Sequence, residues 1–237
     1  MKKLKKISLG VLVLVLAVLA VGTAVLQHKT YQASSQAQTA AKAATKTTKD
    51  YLLFKSSGDT KATIVFYQGA LVEETAYATM AKDLAKEGFN VYLLKTPLNL
   101  PVLSSQKGLK VIKRNNLTNV YLAGHSLGGV VACLNAADSN DITGLILLAS
   151  YPSEKTDLSN SNLKVLSITA SKDKVLKWDN YKTAKKRLPA DTQYVTITGG
   201  NHSGFGDYGQ QDKDGTATIS QSEQENQIVS AITNFID

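Results

Sequence analysis

The sequence predicts an α/β domain: a mostly parallel sheet with helices on both faces. Three observations carry this. Apolar runs without polar alternation, such as Ala62-Thr63-Ile64-Val65-Phe66-Tyr67 and Thr143 to Ala149, recur along 51–237, and strands of that kind are buried on both faces. Stretches of helical periodicity separate them, as in β-α-β units. At 237 residues the chain has room for one domain of ordinary size and an appendage.

The elements follow in order. Tyr51–Lys55 reads as a short strand and Ser56-Ser57-Gly58-Asp59 as a turn. Residues 62–67 form a buried-type strand ending at Gln68-Gly69-Ala70. Glu73 to Glu87 has helical spacing (Ala76, Met80, Leu84) and stops at Gly88. Phe89–Leu94 is a strand, Pro97 to Pro101 a stiff loop, and Ser104–Asn115 a helix. A strand over 119–123 leads through Gly124 into a helix that carries Val130–Ala137. Strands over 143–149, 163–169 and 193–198, a helix over 176–188 and a closing helix over 222–235 complete the set.

Before this domain the chain changes character. Met1 to Lys6 is basic, and Ile7 to Leu26 is 20 residues without a charge, about the length that crosses a bilayer. Residues 1–27 are therefore expected to be an uncleaved signal anchor, the lysines holding the N-terminus in the cytoplasm and the domain outside the membrane. The alternative is a cleaved signal peptide and secretion, although no small-residue cleavage site stands out. Residues 28–50, rich in Ala, Gln, Ser, Thr and Lys, hold almost no large apolar side chain. They read as a flexible linker, and the domain is expected over 51–237.

Charge excludes one class of partner. Eight lysines against one acid, Asp50, give residues 1–50 a balance of +7, while the remaining 19 basic and 18 acidic residues balance to +1. A nearly neutral domain gives no footprint for nucleic acid. The single cysteine, Cys133, allows no internal disulfide and no cysteine-based metal site.

The chemistry gathers where strands end, the edge at which open α/β sheets bind ligands. Gly124-His125-Ser126-Leu127-Gly128 is G-x-S-x-G between a strand and a helix, the nucleophile elbow pattern. A serine on so tight a turn needs small neighbours, and it presents its hydroxyl at a helix N-terminus where amides favour an oxyanion. Asp173 follows the 163–169 strand and His202 the 193–198 strand. The chain order Ser126, Asp173, His202 is that of the Ser-Asp-His triad on this kind of sheet. Of three histidines, His28 lies in the N-terminal region and His125 must point away from Ser126, which leaves His202 as general base. Asp173 could instead cap a helix, and Glu154 is the rival acid. Leu127 and Ala70 are the expected oxyanion amides, and Gly69, Pro97 and Tyr151 the expected substrate-lining residues.

With these residues in place, the domain resembles the α/β-hydrolase superfamily, and more narrowly its compact bacterial family 5. The resemblance rests on residues 66–72, 123–129, 171–173 and 199–209, the last continuing to Ser220. Similar proteins often carry proline where Gln68 stands. Some are likened to dienelactone hydrolases, which use a cysteine nucleophile; serine stands at that place here, and that substrate is not carried over. The resemblance implies an α/β-hydrolase fold and a serine hydrolase. The 151–162 segment is too short for a lid, so an open site for small acyl esters is expected, with no metal or organic cofactor. Acyl transfer onto envelope components and a non-catalytic binding role are the alternatives.

Overall fold

The computed structural model describes residues 21–237. Most of the apolar span from 7 to 26, and the greater part of the expected anchor, lies outside the described residues. Contacts divide the chain into two units, Met1–Thr30 and Tyr31–Asp237. In the first, residues 21–28 are helical. No helix among the described residues is long and apolar enough to cross a membrane.

The second unit is a three-layer α/β structure. Its strands are β1 (Lys46–Thr47), β2 (Tyr51–Phe54), β3 (Ala62–Tyr67), β4 (Phe89–Leu94), β5 (Val120–His125), β6 (Ile142–Leu148), β7 (Lys164–Ala170) and β8 (Gln193–Ile197). Its helices are α1 (Ser35–Ala41), α2 (Ala78–Lys86), α3 (Lys107–Arg114), α4 (Leu127–Ala137), α5 (Trp178–Ala184) and α6 (Gln221–Ile236). The eight strands form one sheet in the order β1-β2-β4-β3-β5-β6-β7-β8. The two pairings of β2 are antiparallel, and the other five are parallel.

Alternation along the strands feeds two cores. Ile64, Phe66, Tyr121, Ala123 and Ile146 face α1, α2 and α6, which contribute Ala37, Ala81, Leu84, Ile228 and Ile232. Val65, Tyr67, Leu122, Leu145 and Leu147 face α3 and α4, which contribute Val111, Ile112, Val131 and Cys133. Every residue of β3 and β5 is buried, as their unbroken apolar sequence requires. No helix lies between β6 and β7, so the lid is indeed minimal.

Local details depart from the sequence expectation. The helix over 73–87 opens as a 3₁₀ turn, Glu74–Tyr77, before α2. The loop at Pro97 is two 3₁₀ turns, with Leu98 and Asn99 left-handed. The 176–188 helix is α5 followed by the 3₁₀ turn Lys185–Arg187.

The larger departure is 28–50, expected as a flexible linker outside a domain starting at 51. Tyr31 pairs with Val72, and Ala33, Ala37 and Ala40 are buried. Ser34 caps α1 by accepting from the Ala37 amide at 3.1 Å. β1 adds a strand at the sheet edge. Alanines at helical spacing make a flat face that packs closely without large side chains, so the segment buries what a count of large apolar residues misses.

Candidate active site

β5 ends at His125 and α4 begins at Leu127, leaving Ser126 alone on the turn. Its backbone has φ 51° and ψ −121°, a region that an L-residue occupies only under strain. The Ser126 amide donates to Leu148 O at 2.9 Å and the Ser150 hydroxyl to Ser126 O at 2.6 Å, which fastens the turn to β6. Close contact explains the glycines. A Cβ at Gly124 would lie 2.4 Å from Gly128 C, one at Gly128 2.3 Å from the backbone oxygens of Tyr67 and Gln68, and one at Gly129 2.5 Å from the Ser150 side chain.

Asp173 and His202 come together beyond the ends of β7 and β8. Asp173 Oδ2 lies 2.8 Å from His202 Nδ1, and the two side chains are 0% and 2% exposed. Asp173 Oδ1 accepts from the Val175 and Leu176 amides, each at 2.8 Å. Asp173 is not the cap of α5, whose N-cap is Lys177; its Oδ1 closes the turn before that helix, and its Oδ2 is turned to His202. Glu154, the rival acid, is exposed. The His202 loop is fixed from two sides: Asp214 accepts from the Ser203 amide and hydroxyl at 2.8 Å, and Gln224 of α6 bonds both backbone groups of Asn201.

His125 turns inward. It is buried, with Nδ1 2.9 Å from the Tyr77 hydroxyl and its ring centroid 4.6 Å from that of His202. Burial, with the neighbouring His202 adding to it, holds its pKa well below the ordinary 6.5, so it is neutral at neutral pH.

The loop expected to supply one oxyanion amide follows β3. The Gly69 amide donates to the Tyr77 hydroxyl at 3.0 Å and the Leu71 amide to Asn99 O at 2.8 Å. Between them, the Ala70 amide makes no hydrogen bond among the described residues. Leu127 is the first residue of α4, where no intrahelical acceptor exists for its amide. Gln68 is fully buried, its amide donating to the Thr96 hydroxyl at 2.8 Å, so it ties this loop to the end of β4.

The expected lining residues fare differently. Gly69 faces inward, where a Cβ would lie 3.0 Å from His125 Nδ1 and 3.2 Å from the Tyr77 hydroxyl. Pro97 is exposed and opens the first 3₁₀ turn after β4. Tyr151 is half-buried just after β6, its ring edge-on to Tyr181 at 6.5 Å. Cys133 lies buried in α4, and burial pushes its thiol pKa up. Among the described residues, no group of three or more His, Cys, Asp or Glu is gathered as a metal site needs. Sequence reasoning missed Tyr77 and Ser150, since nothing in their spacing distinguishes them from ordinary packing residues.

Comparison with known proteins agrees with this architecture. Similar solved structures include an alpha-beta serine hydrolase homologue from Coxiella burnetii (15% identity over 76% of this chain and 89% of that one, TM-score 0.56). A ferulic acid esterase from Streptomyces cinnamoneus has 18% identity over 77% and 68%, with a TM-score of 0.64. The esterase domain of a Rhodothermus marinus protein has 11% identity over 78% and 90%, with a TM-score of 0.59. At such identities the likeness is one of fold. No curated protein matches the sequence. The sequence model of the Alpha/beta hydrolase family matches residues 63–226, and the chain belongs to that family.

Proposed function

We propose that this protein is a serine hydrolase that cleaves small acyl esters through an acyl-enzyme on Ser126. The observation that carries the reading is the buried 2.8 Å Asp173–His202 pair, whose imidazole lies against the residue preceding the strained Ser126. A carboxylate only accepts, so His202 Nδ1 carries the proton and Nε2 is left as the bare, basic nitrogen. His202 takes the Ser126 proton as Oγ attacks the acyl carbonyl. The Leu127 and Ala70 amides hold the oxyanion. Collapse expels the alcohol, protonated by His202; water, deprotonated by the same imidazole, then releases the acid and restores Ser126.

The open stretch between β6 and β7 favours short or exposed acyl groups, and Pro97 and Tyr151 flank the approach. We propose further that residues 1–27 hold the protein in the cell membrane with the domain outside it, an arrangement that fractionation with external protease accessibility tests.

The catalytic reading is tested on the full chain with a fluorophosphonate probe and an acetyl ester. Wild type is expected to label and to turn over; Ser126→Ala loses both, and His202→Ala loses turnover. Asp173→Asn is expected to lower kcat by about 10⁴-fold with the fold intact. A folded wild type that neither labels nor turns over refutes the reading.

A further inference from the structure

The hydrogen bonds around His125 run in one direction. The Gly69 amide can only donate, so the Tyr77 oxygen accepts it at 3.0 Å. Tyr77 has no other acceptor for its one hydroxyl hydrogen among the described residues, so we assign that hydrogen to His125 Nδ1, 2.9 Å away. Nδ1 is therefore bare, and the proton of this neutral ring sits on Nε2, which is buried without a protein partner. His202, bonded to Asp173 through Nδ1, carries the opposite tautomer. Two imidazoles whose centroids lie 4.6 Å apart are thus fixed in opposite tautomers by their outer partners. His125 cannot serve as a second base, because its only bare nitrogen is occupied by Tyr77.

The same chain of bonds joins two strands. The expected oxyanion amides come from separate places, Leu127 after β5 and Ala70 after β3. His125 is the last residue of β5 and Gly69 precedes Ala70, so the path His125–Tyr77–Gly69 is a side-chain bridge between the two donors. Packing keeps the bridge rigid: Tyr77 is fully buried, its ring centroid 4.7 Å from that of Phe66. The neighbouring Leu71 amide is tied to Asn99 O, so the loop is held on both sides of Ala70. A Cβ at Gly69 would press on both members of the bridge.

We infer that Tyr77 and His125 are positioning residues of the oxyanion hole, setting the Ala70 amide relative to the Leu127 amide through the Gly69 amide. This rests on the hydrolase reading above. An amide misplaced in this way weakens only the interaction made to the tetrahedral intermediate, so kcat falls while KM holds.

Tyr77→Phe removes the hydroxyl and keeps the ring against Phe66. On the full chain it is expected to lower kcat for p-nitrophenyl acetate by about 10–100-fold. KM should stay within about twofold, and a tetrahedral boronate should bind more weakly by a factor like that in kcat. His125→Asn, which keeps an acceptor near Nδ1, should retain more kcat than His125→Leu. A folded Tyr77→Phe enzyme with unchanged kcat, or with a raised KM alone, overturns the inference; so does equal kcat in His125→Asn and His125→Leu, which decides the matter if Tyr77→Phe fails to fold. Imidazole ¹⁵N spectra give a readout independent of turnover: His125 should carry its proton on Nε2 in wild type, with its resonances and the Gly69 amide shifting in Tyr77→Phe. A proton on Nδ1 refutes the bridge. Correct spectra with an inactive wild type instead refute the hydrolase reading.

Discussion

Ser126 occupies backbone space that costs an L-residue about 1–3 kcal/mol, and glycine enters it freely. Ser126→Gly relieves that strain, offset by about 0.5–1 kcal/mol of extra unfolded-state entropy. Ser126→Ala keeps the strain. The glycine variant is therefore expected to unfold a few degrees above the alanine variant in a thermal melt, both being inactive. Equal or reversed midpoints would show the turn to be relaxed. Ser126, Asp173 and His202 were legible as candidates because each follows a strand of the sheet, and the sheet's parallel order collects strand ends at one edge. Tyr77 was not legible. Its role depends on where a hydroxyl lands after the turn Glu74–Tyr77 packs on the sheet, and helical spacing reports the face of a residue but not its reach.

At the scale of the element, α6 closes the sheet and carries a buried acid. Burial pushes the pKa of Glu225 up from 4.5 to about 8, with Asp83 and Asp207 adding to the shift. The folded protein keeps this proton up to about pH 8, whereas the unfolded chain releases it near 4.5. Between those values the folded state binds more protons, so stability declines as pH rises. Glu225→Gln should flatten that decline, and its midpoint should exceed that of wild type more at pH 8 than at pH 5 in paired melts. A constant gap across that range would contradict it. The sequence displayed α6 through its apolar spacing, yet it hid α1, because alanine signals propensity and not burial. Contact with α2 makes α1 an element of the domain, and that contact is long-range.

For the whole molecule, the segment from Tyr31 to Ala41 ties two distant loops together. Tyr31 exchanges backbone bonds with Leu71 and Glu73 beside Ala70, and its hydroxyl accepts from the Asp212 amide. Ser34 bonds the backbone and the carboxylate of Asp207, five residues beyond His202. A chain cut to 51–237, the boundary its composition suggests, loses these ties and the β1 edge. It is expected to melt lower than a 31–237 chain and, on the proposed hydrolase reading, to lose most acetyl-ester turnover, a comparison that differential scanning and an acetyl-ester assay make directly. Full activity in the shorter chain would reduce the segment to decoration.

The Ser34–Asp207 bond spans 173 positions, and this bears on how the protein is made. During synthesis Ser34 waits for a partner that is made 173 positions later. Every strand of the sheet is made before that partner, so the two loops are joined only after the last strand has been made. A nascent chain therefore carries Ser126 well before it carries Asp207, and the brace between the two loops forms only once residue 207 has been made.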